Sequence, residues 1–235
     1  MSLFKRLEGV FFDPKAVFPR LAEKPVWIDA LVVVLVALIA FTFIVAPYVQ
    51  KDNLALMKDN VALQEKMGED AYAKMITQTE NPSQARRVIQ TFVATPLFFL
   101  AALLVQSLLL LVIGRLLSTQ GTYVQVLSIL VHASFVDKLL GNAVRLALAL
   151  TRGSVMQTST GLALLFPRLE VTSTLYMVLA QVDLFQLWLF GVLALGLAAV
   201  FKISFRKALV LSYGMWLLKA VFNAGLGIIS MSFLK

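Results

Sequence analysis

Charge leaves this chain in long blocks. Ala30 to Pro47, Thr91 to Gly114 and Leu184 to Phe201 each run 18 or more residues without a formal charge. At about 1.5 Å per helical residue, each can cross a hydrocarbon layer of roughly 30 Å. Two further apolar stretches, 122–151 and 208–233, carry interruptions, so the pattern predicts spans at about 27–49, 91–114, 122–140, 181–201 and 208–233. In the third, Asp137, Lys138 and Arg145 break the apolar run, and the whole stretch as one helix would extend about 45 Å, too far for one upright span. A break near Gly141-Asn142 and a short helix at the far interface are therefore expected. The predicted fold class is all-α: a polytopic membrane protein with a five-helix transmembrane bundle, interfacial helices and one helical extracytoplasmic loop.

Before the first span, Leu3, Phe4, Leu7, Val10 and Phe11 recur at spacings of three and four and share one helical face, with Lys5, Arg6 and Glu8 placed elsewhere. These residues read as a membrane-surface helix (Leu3, Phe4, Lys5, Arg6, Leu7, Val10, Phe11) that either binds anionic lipid or a partner, or simply anchors the first span. Asp13-Pro14 starts a second short element, and Pro19 and Pro25 are expected to prevent a long continuous helix there. Residues 1–26 thus read as a cytoplasmic amphipathic segment and 27–235 as the membrane domain. The outer loop, 50–90, balances six basic against six acidic residues over positions 51–90. Apolar positions Leu54, Met57 and Val61, then Leu63, Met67, Ala71 and Met75, predict amphipathic helices in it. Asn81-Pro82-Ser83-Gln84 reads as an N-cap followed by a first-turn proline. A helix from there runs through Arg86 and Phe92 into the second span, kinked by Pro96. Residues 152–170 form a connection, and 171–180 a further interfacial helix.

Composition changes the picture mainly by exclusion. The chain is 60% hydrophobic and 14% charged, against about 25% charged in ordinary soluble domains. Its net charge of +8 sits beside the spans, which points to lipid headgroups and the positive-inside rule and away from nucleic acid. There is no cysteine, and one histidine, His132, rules out a multi-histidine metal centre within a single chain. Glu8, Asp13, Glu23 and Asp29 argue against a removable signal peptide. With the N-terminus inside, inner and outer segments each hold nine basic residues. The inner nine are packed at span ends, so density favours N-terminus inside and C-terminus outside, in a bacterial cytoplasmic membrane.

Three stretches together resemble the Yip-domain family, named for interaction with Ypt and Rab GTPases: Phe11-Phe12-Asp13-Pro14 with Phe18 and Lys24-Pro25, Thr122-Tyr123-Val124-Gln125-Val126-Leu127, and Val182-Asp183-Leu184-Phe185-Gln186-Leu187-Trp188. The resemblance, to the prokaryotic branch, covers nearly the whole chain. It implies a small, non-enzymatic five-span protein with a cytoplasmic N-terminus, and association with ABC exporters encoded nearby. The chain lacks the long cytoplasmic N-terminal domain of eukaryotic members, a departure that weighs against direct GTPase binding.

Ionisable groups inside spans cost about 2.5 to 3.5 kcal/mol each on insertion scales, so each needs a reason. Asp137, Lys138, Arg145, Asp183, Lys219 and Asn223 form a candidate intramembrane polar network. Lys219 lies mid-span with Asn223 one turn on; it is either paired with Asp137 or Asp183 in a solute path, or held in a structural ion pair or snorkelling towards water. Arg145 and Asp183 are expected to staple the third and fourth spans. Ser134, Lys138, Gly141, Asn142 and Arg145 share one side of the third segment, either facing protein or a wet cavity, or marking a helix end. His132 reads as a packing residue ahead of a proton shuttle. Small residues at Gly191, Ala194 and Ala198, and at Ala220, Ala224 and Gly227, predict close packing of the last two spans.

Signatures of phosphate-binding loops, serine hydrolases, zinc proteases and intramembrane aspartyl proteases are missing from the sequence. The expected function is therefore a non-catalytic membrane accessory or scaffold without cofactors, acting on the lipid bilayer and on a membrane-protein partner, an ABC exporter or similar, or as a homo-oligomer. The alternative is a small transporter or channel subunit with an intramembrane polar path.

Overall fold

The computed structural model describes residues 1–58, 60–156 and 160–232. Its regular elements are helical, and the described residues show only an isolated β-bridge between Gly161 and Asp183. The helices are α1 (Leu3–Phe12), α2 (Pro14–Glu23), α3 (Ile28–Lys58), α4 (Val61–Met67), α5 (Glu69–Glu80), α6 (Gln84–Arg115), α7 (Tyr123–Arg152), α8 (Thr174–Gln181), α9 (Leu184–Phe201) and α10 (Phe205–Ser232). Five of them, α3, α6, α7, α9 and α10, are long and apolar enough to cross a membrane. The chain is an all-α, multi-pass integral membrane protein.

Local chemistry sets most of the boundaries. Ser2 and Asp13 cap α1 and α2 with side-chain oxygens, and Pro14 occupies the first turn of α2. Pro19 lies inside α2 without ending it; the helix stops at Glu23, because Lys24 precedes Pro25 and is driven out of the helical region. Pro47 likewise does not end α3. One lost backbone donor is a local cost, and the good helix formers Gln50, Lys51 and Leu54 to Lys58 carry the helix on. The start of α6 is capped by Ser83, whose Oγ accepts from Arg86 N at 3.2 Å, while Asn81 instead closes the end of α5. Ahead of Pro96, the ladder of α6 widens into a π segment over Ile89–Ala94, which makes room for the proline ring.

The largest departure from expectation is α7. No break occurs at Gly141-Asn142; the helix continues from Tyr123 to Arg152 through a π segment at Val136–Gly141. The charges that looked like an interruption are absorbed inside the protein, since Asp137 is 1% exposed and lies 2.7 Å from Lys138. Neighbouring side chains on a regular α-helix do not face each other, and the wider π turn is where this adjacent pair occurs.

The chain folds as two compact units. The first comprises Met1–Leu38, Pro96–Ala143 and Leu184–Lys219 and holds the main core. There α2 packs on α7 and α9, and Phe18, Ile129, Leu130, Phe135, Phe190, Leu193, Leu197 and Phe201 are all fully buried. Gly196 permits this approach: a Cβ there would stand 2.9 Å from both Ile129 Cβ and Phe18 Cδ1. The second unit comprises Ile39–Thr95, Val144–Asp183 and the chain from Ala220. In it, α4 and α5 form a hairpin hinged at Gly68, whose φ of 77° requires glycine.

Candidate functional site

The most densely bonded polar cluster of the first unit is one that sequence reasoning did not assemble. Arg6 is 4% exposed. Its guanidinium forms a fork on Asp29, with Nη1 3.1 Å from Oδ1 and Nη2 on Oδ2, and Nη1 also donates to Val26 O at 3.5 Å. On its other side, the same Nη1 lies 3.3 Å from His132 Nε2. His132 Nδ1 is 2.8 Å from Ser128 O, which can only accept, so Nδ1 carries the proton and Nε2 presents its lone pair to Arg6. Ser128 Oγ donates to Val26 O at 3.0 Å, and Gln125 Nε2 donates to Ala22 O at 2.6 Å. Three side chains of α7, spaced one turn apart, thus bind the N-terminal helices and the linker that leads into α3.

The helix read as lying on the membrane surface packs its apolar stripe against the protein. Leu3, Arg6 and Val10 follow each other at spacings of three and four, so Arg6 shares the apolar stripe. Arg6, Gly9 and Val10 are buried in the protein, and Leu3, Leu7 and Phe11 pack against the core. Phe4 and Lys5 remain exposed. That spacing was the available signal. His132 is fully buried and bonded through both ring nitrogens.

The family-like motifs acquire structural jobs. Thr122 and Gln125 form a reciprocal capping box at the start of α7, and Tyr123 donates to Leu104 O at 3.1 Å. Phe11 meets Trp188 edge to face with ring centroids 6.1 Å apart. Gln186 accepts from Lys219 Nζ at 2.6 Å. That Lys219 also lies 6.0 Å above the Phe190 ring. α9 and α10 are further tied by Ser212 Oγ to Phe190 O, 2.6 Å, and Tyr213 OH to Leu187 O, 3.0 Å. Among the small residues, Gly191 faces the Tyr213 hydroxyl, Ala194 is fully buried and Ala198 packs against the core. Ala224 is also buried, Ala220 is half-buried, and Gly227 lies against Met177 of α8. Between α9 and α10 the contacts that stand out are therefore these hydrogen bonds and the approach of Tyr213 to Gly191.

In the second unit, Arg145 does meet Asp183: Nη2 lies 3.0 Å from both carboxylate oxygens, and Thr160 bridges the two, accepting from Arg145 Nε at 3.2 Å and donating to Asp183. A second carboxylate, Asp52, is 7% exposed and accepts from Ser154 Oγ, Val155 N and Met156 N at 2.7 to 3.1 Å. It closes the turn after α7, and its position in a mixed-charge stretch gave no sign of this role. Lys138 lies 5.6 Å over Phe99 in the first unit, Asn142 is buried there beside Gly141, and Asn223 is an exposed residue of α10. Within the predicted intramembrane network, Asp137 thus lies beside Lys138, Arg145 meets Asp183, and Lys219 binds Gln186. No group of three or more potential ligands that could hold a metal occurs among the described residues.

A family model described as Yip1 domain matches residues 9–226. No curated protein and no solved structure matches the chain.

Proposed function

The chain belongs to the Yip1 domain family, and we propose that it is a non-catalytic accessory or scaffold protein, working through contacts with lipid and with another membrane protein. One observation carries this reading: the middle of the first unit is filled. Phe18, Phe135, Phe190 and Phe201, all less than 2% exposed, occupy its centre with branched aliphatic side chains around them. A centre packed in this way suits a support better than a conduit. The N-terminal helices are built into that support, and α1 leaves Phe4 and Phe12 exposed at 73% and 85% beside Lys5. Aromatic residues with a basic neighbour suit a membrane interface or a partner helix. In this reading the protein sits in a bacterial cytoplasmic membrane with its N-terminus inside and C-terminus outside, and an ABC exporter is the partner to look for first.

Gentle solubilisation and crosslinking from the native membrane tests the proposal. A specific membrane-protein partner should co-purify with the wild type and be lost from Phe4→Ser/Phe12→Ser while that variant stays folded. Recovery of the chain alone under both conditions overturns it. A second reading, a transporter or channel subunit, draws on the buried Asp137 in the π segment of α7, since π segments recur at functional sites. That reading requires solute flux that Lys219→Met abolishes, whereas a scaffold tolerates the change.

A further inference from the structure

An open groove of about 900 Å³ lies between the second half of α3 and the start of α6, wholly within the second unit. It has a polar and an apolar end. Phe41, Ile44 and Val45 of α3 line one part, Gln50 and Asn53 the other, and the stretch from Phe41 to Asn53 covers about 18 Å of helix. On the opposite wall, Phe92 and Val88 lead to Arg87 and Arg86. Both walls therefore change from apolar to polar in the same sense, Phe43 and Phe92 approaching at the apolar end with ring centroids 6.2 Å apart. The π segment of α6 supplies Gln90, Thr91 and Phe92 to this wall.

The polar end is unbalanced in charge. Arg86 and Arg87 both line it, and no described lining residue is acidic. Glu80, the acidic residue closest in sequence, is engaged by Lys58 at 2.5 Å. Arg87 Nη2 donates to Gln50 Oε1 at 3.3 Å, which draws its guanidinium across from α6 towards α3. Two cations above an apolar trough, at the level where two spans turn polar, complement a molecule with a negative head and a hydrocarbon tail. An ammonium-bearing head would find no carboxylate there.

We infer that this groove binds one phospholipid with an anionic headgroup, its phosphate between Arg86 and Arg87 and an acyl chain along Phe41, Ile44, Val45 and Phe92. The inference rests on the membrane location and on no protein partner, so its outcome is separate from that of the co-purification.

Native mass spectrometry of the full-length protein, titrated in detergent with dioleoylphosphatidylglycerol or dioleoylphosphatidylcholine, tests it. The anionic lipid should bind roughly thirtyfold tighter, the ratio that two cation contacts at a membrane surface give. Arg86→Gln/Arg87→Gln should bring the two lipids to parity, and Arg86→Gln alone should lose about fivefold for the anionic lipid. Val88→Trp, which fills the trough from an exposed position, should weaken both lipids. Glycerol phosphate, a head without chains, should not compete at lipid concentrations. Equal affinity of the wild type for both lipids, a preference that survives the double substitution, undiminished binding in Val88→Trp, or full competition by glycerol phosphate would each overturn the inference. The single Arg86→Gln and the Val88→Trp variants leave the Arg87–Gln50 bond in place, so they read the site even where the double variant fails to fold.

Discussion

α6 and α7 share the first unit over Pro96–Ala143, and they invert the rule familiar from water. From Pro96 to Gly114, α6 carries no charge, yet Leu97, Phe98, Val105 and Leu108 point outward. α7 is the less apolar helix, with Ser128, His132, Ser134 and Asp137, and these polar residues are all buried together with Val126, Ile129, Val131 and Phe135. The reason is the solvent. Lipid chains receive Leu and Phe as well as a protein core does, so hydrophobicity alone draws neither helix inward. A hydroxyl, imidazole or carboxylate at the same depth needs a partner, and only protein supplies one. Polarity and close packing therefore select the inner helix, and α7 is held there through bonds to α2 and the α2–α3 linker.

The same substitution in the two settings is the most forceful way to break that contrast. Phe18 is fully buried and in van der Waals range of α9 at Gly196, whereas Phe98 on α6 is 75% exposed. Phe18→Ala should destabilise by about 3 to 5 kcal/mol, the range for emptying a large core site. Phe98→Ala should stay within about 0.5 kcal/mol, as surface changes do. Reversible unfolding in mixed micelles gives both values. Comparable losses at the two positions would mean that α6 is not lipid-facing at Phe98.

Ion pairs sharpen the contrast at a smaller scale. The Arg6–Asp29 pair has side-chain exposures of 5% and 42%, against 53% and 40% for Lys58–Glu80. Removing one partner of a fully buried pair costs about 3 to 5 kcal/mol, and the partial exposure of Asp29 reduces this to about 2 to 3 for Asp29→Ala. Arg6 would then keep only Val26 O and the His132 lone pair. Lys58→Ala should change stability by less than about 0.5 kcal/mol. Limited proteolysis supplies a second readout, since cleavage between α2 and α3 should accelerate in Asp29→Ala alone. An unchanged rate there would show that the N-terminal helices do not depend on this pair.

What the sequence made legible follows the same physics. Long uncharged runs announce α3, α6 and α9, because crossing a bilayer demands length and apolarity that few other structures need. The path of α7 was harder to read. Asp137, Lys138 and Arg145 look like the end of a span when scanned one residue at a time; the sequence could offer Asp183 as a partner for Arg145, but only tertiary contact reveals that Asp137 is covered. α1 was legible as amphipathic, but an apolar stripe reads alike whether it faces lipid or protein. Arg6 within the stripe was the discriminating residue, for a lone cation on an apolar face asks for a buried acceptor. Asp52 lay beyond reach, since its partners, two backbone N–H groups and the Ser154 hydroxyl, lie over a hundred positions away and nothing in the sequence marks them.

Among the buried positions the smallest loss is expected at His132, and it addresses the contrast most directly. His132→Leu makes α7 more apolar while keeping the side-chain volume close, so in water it would be a stabilising core change. Here it removes the acceptor for Arg6 Nη1 and the donor to Ser128 O. Ser128 O keeps a helical backbone donor and Arg6 keeps Asp29, so nothing charged is stranded. Interhelical hydrogen bonds in membranes average about 0.6 kcal/mol, and a loss of roughly 0.5 to 1 kcal/mol is expected from the same unfolding assay. The sign matters more than the size. A gain in stability would mean that α7 is held inside by shape alone, with its polar residues tolerated there, and the account of why the less apolar helix lies innermost would fail. A small loss that vanishes in an Asp29→Ala background, where Arg6 is already released, would assign the effect to the Arg6 contact and not to the ring's packing on Phe135.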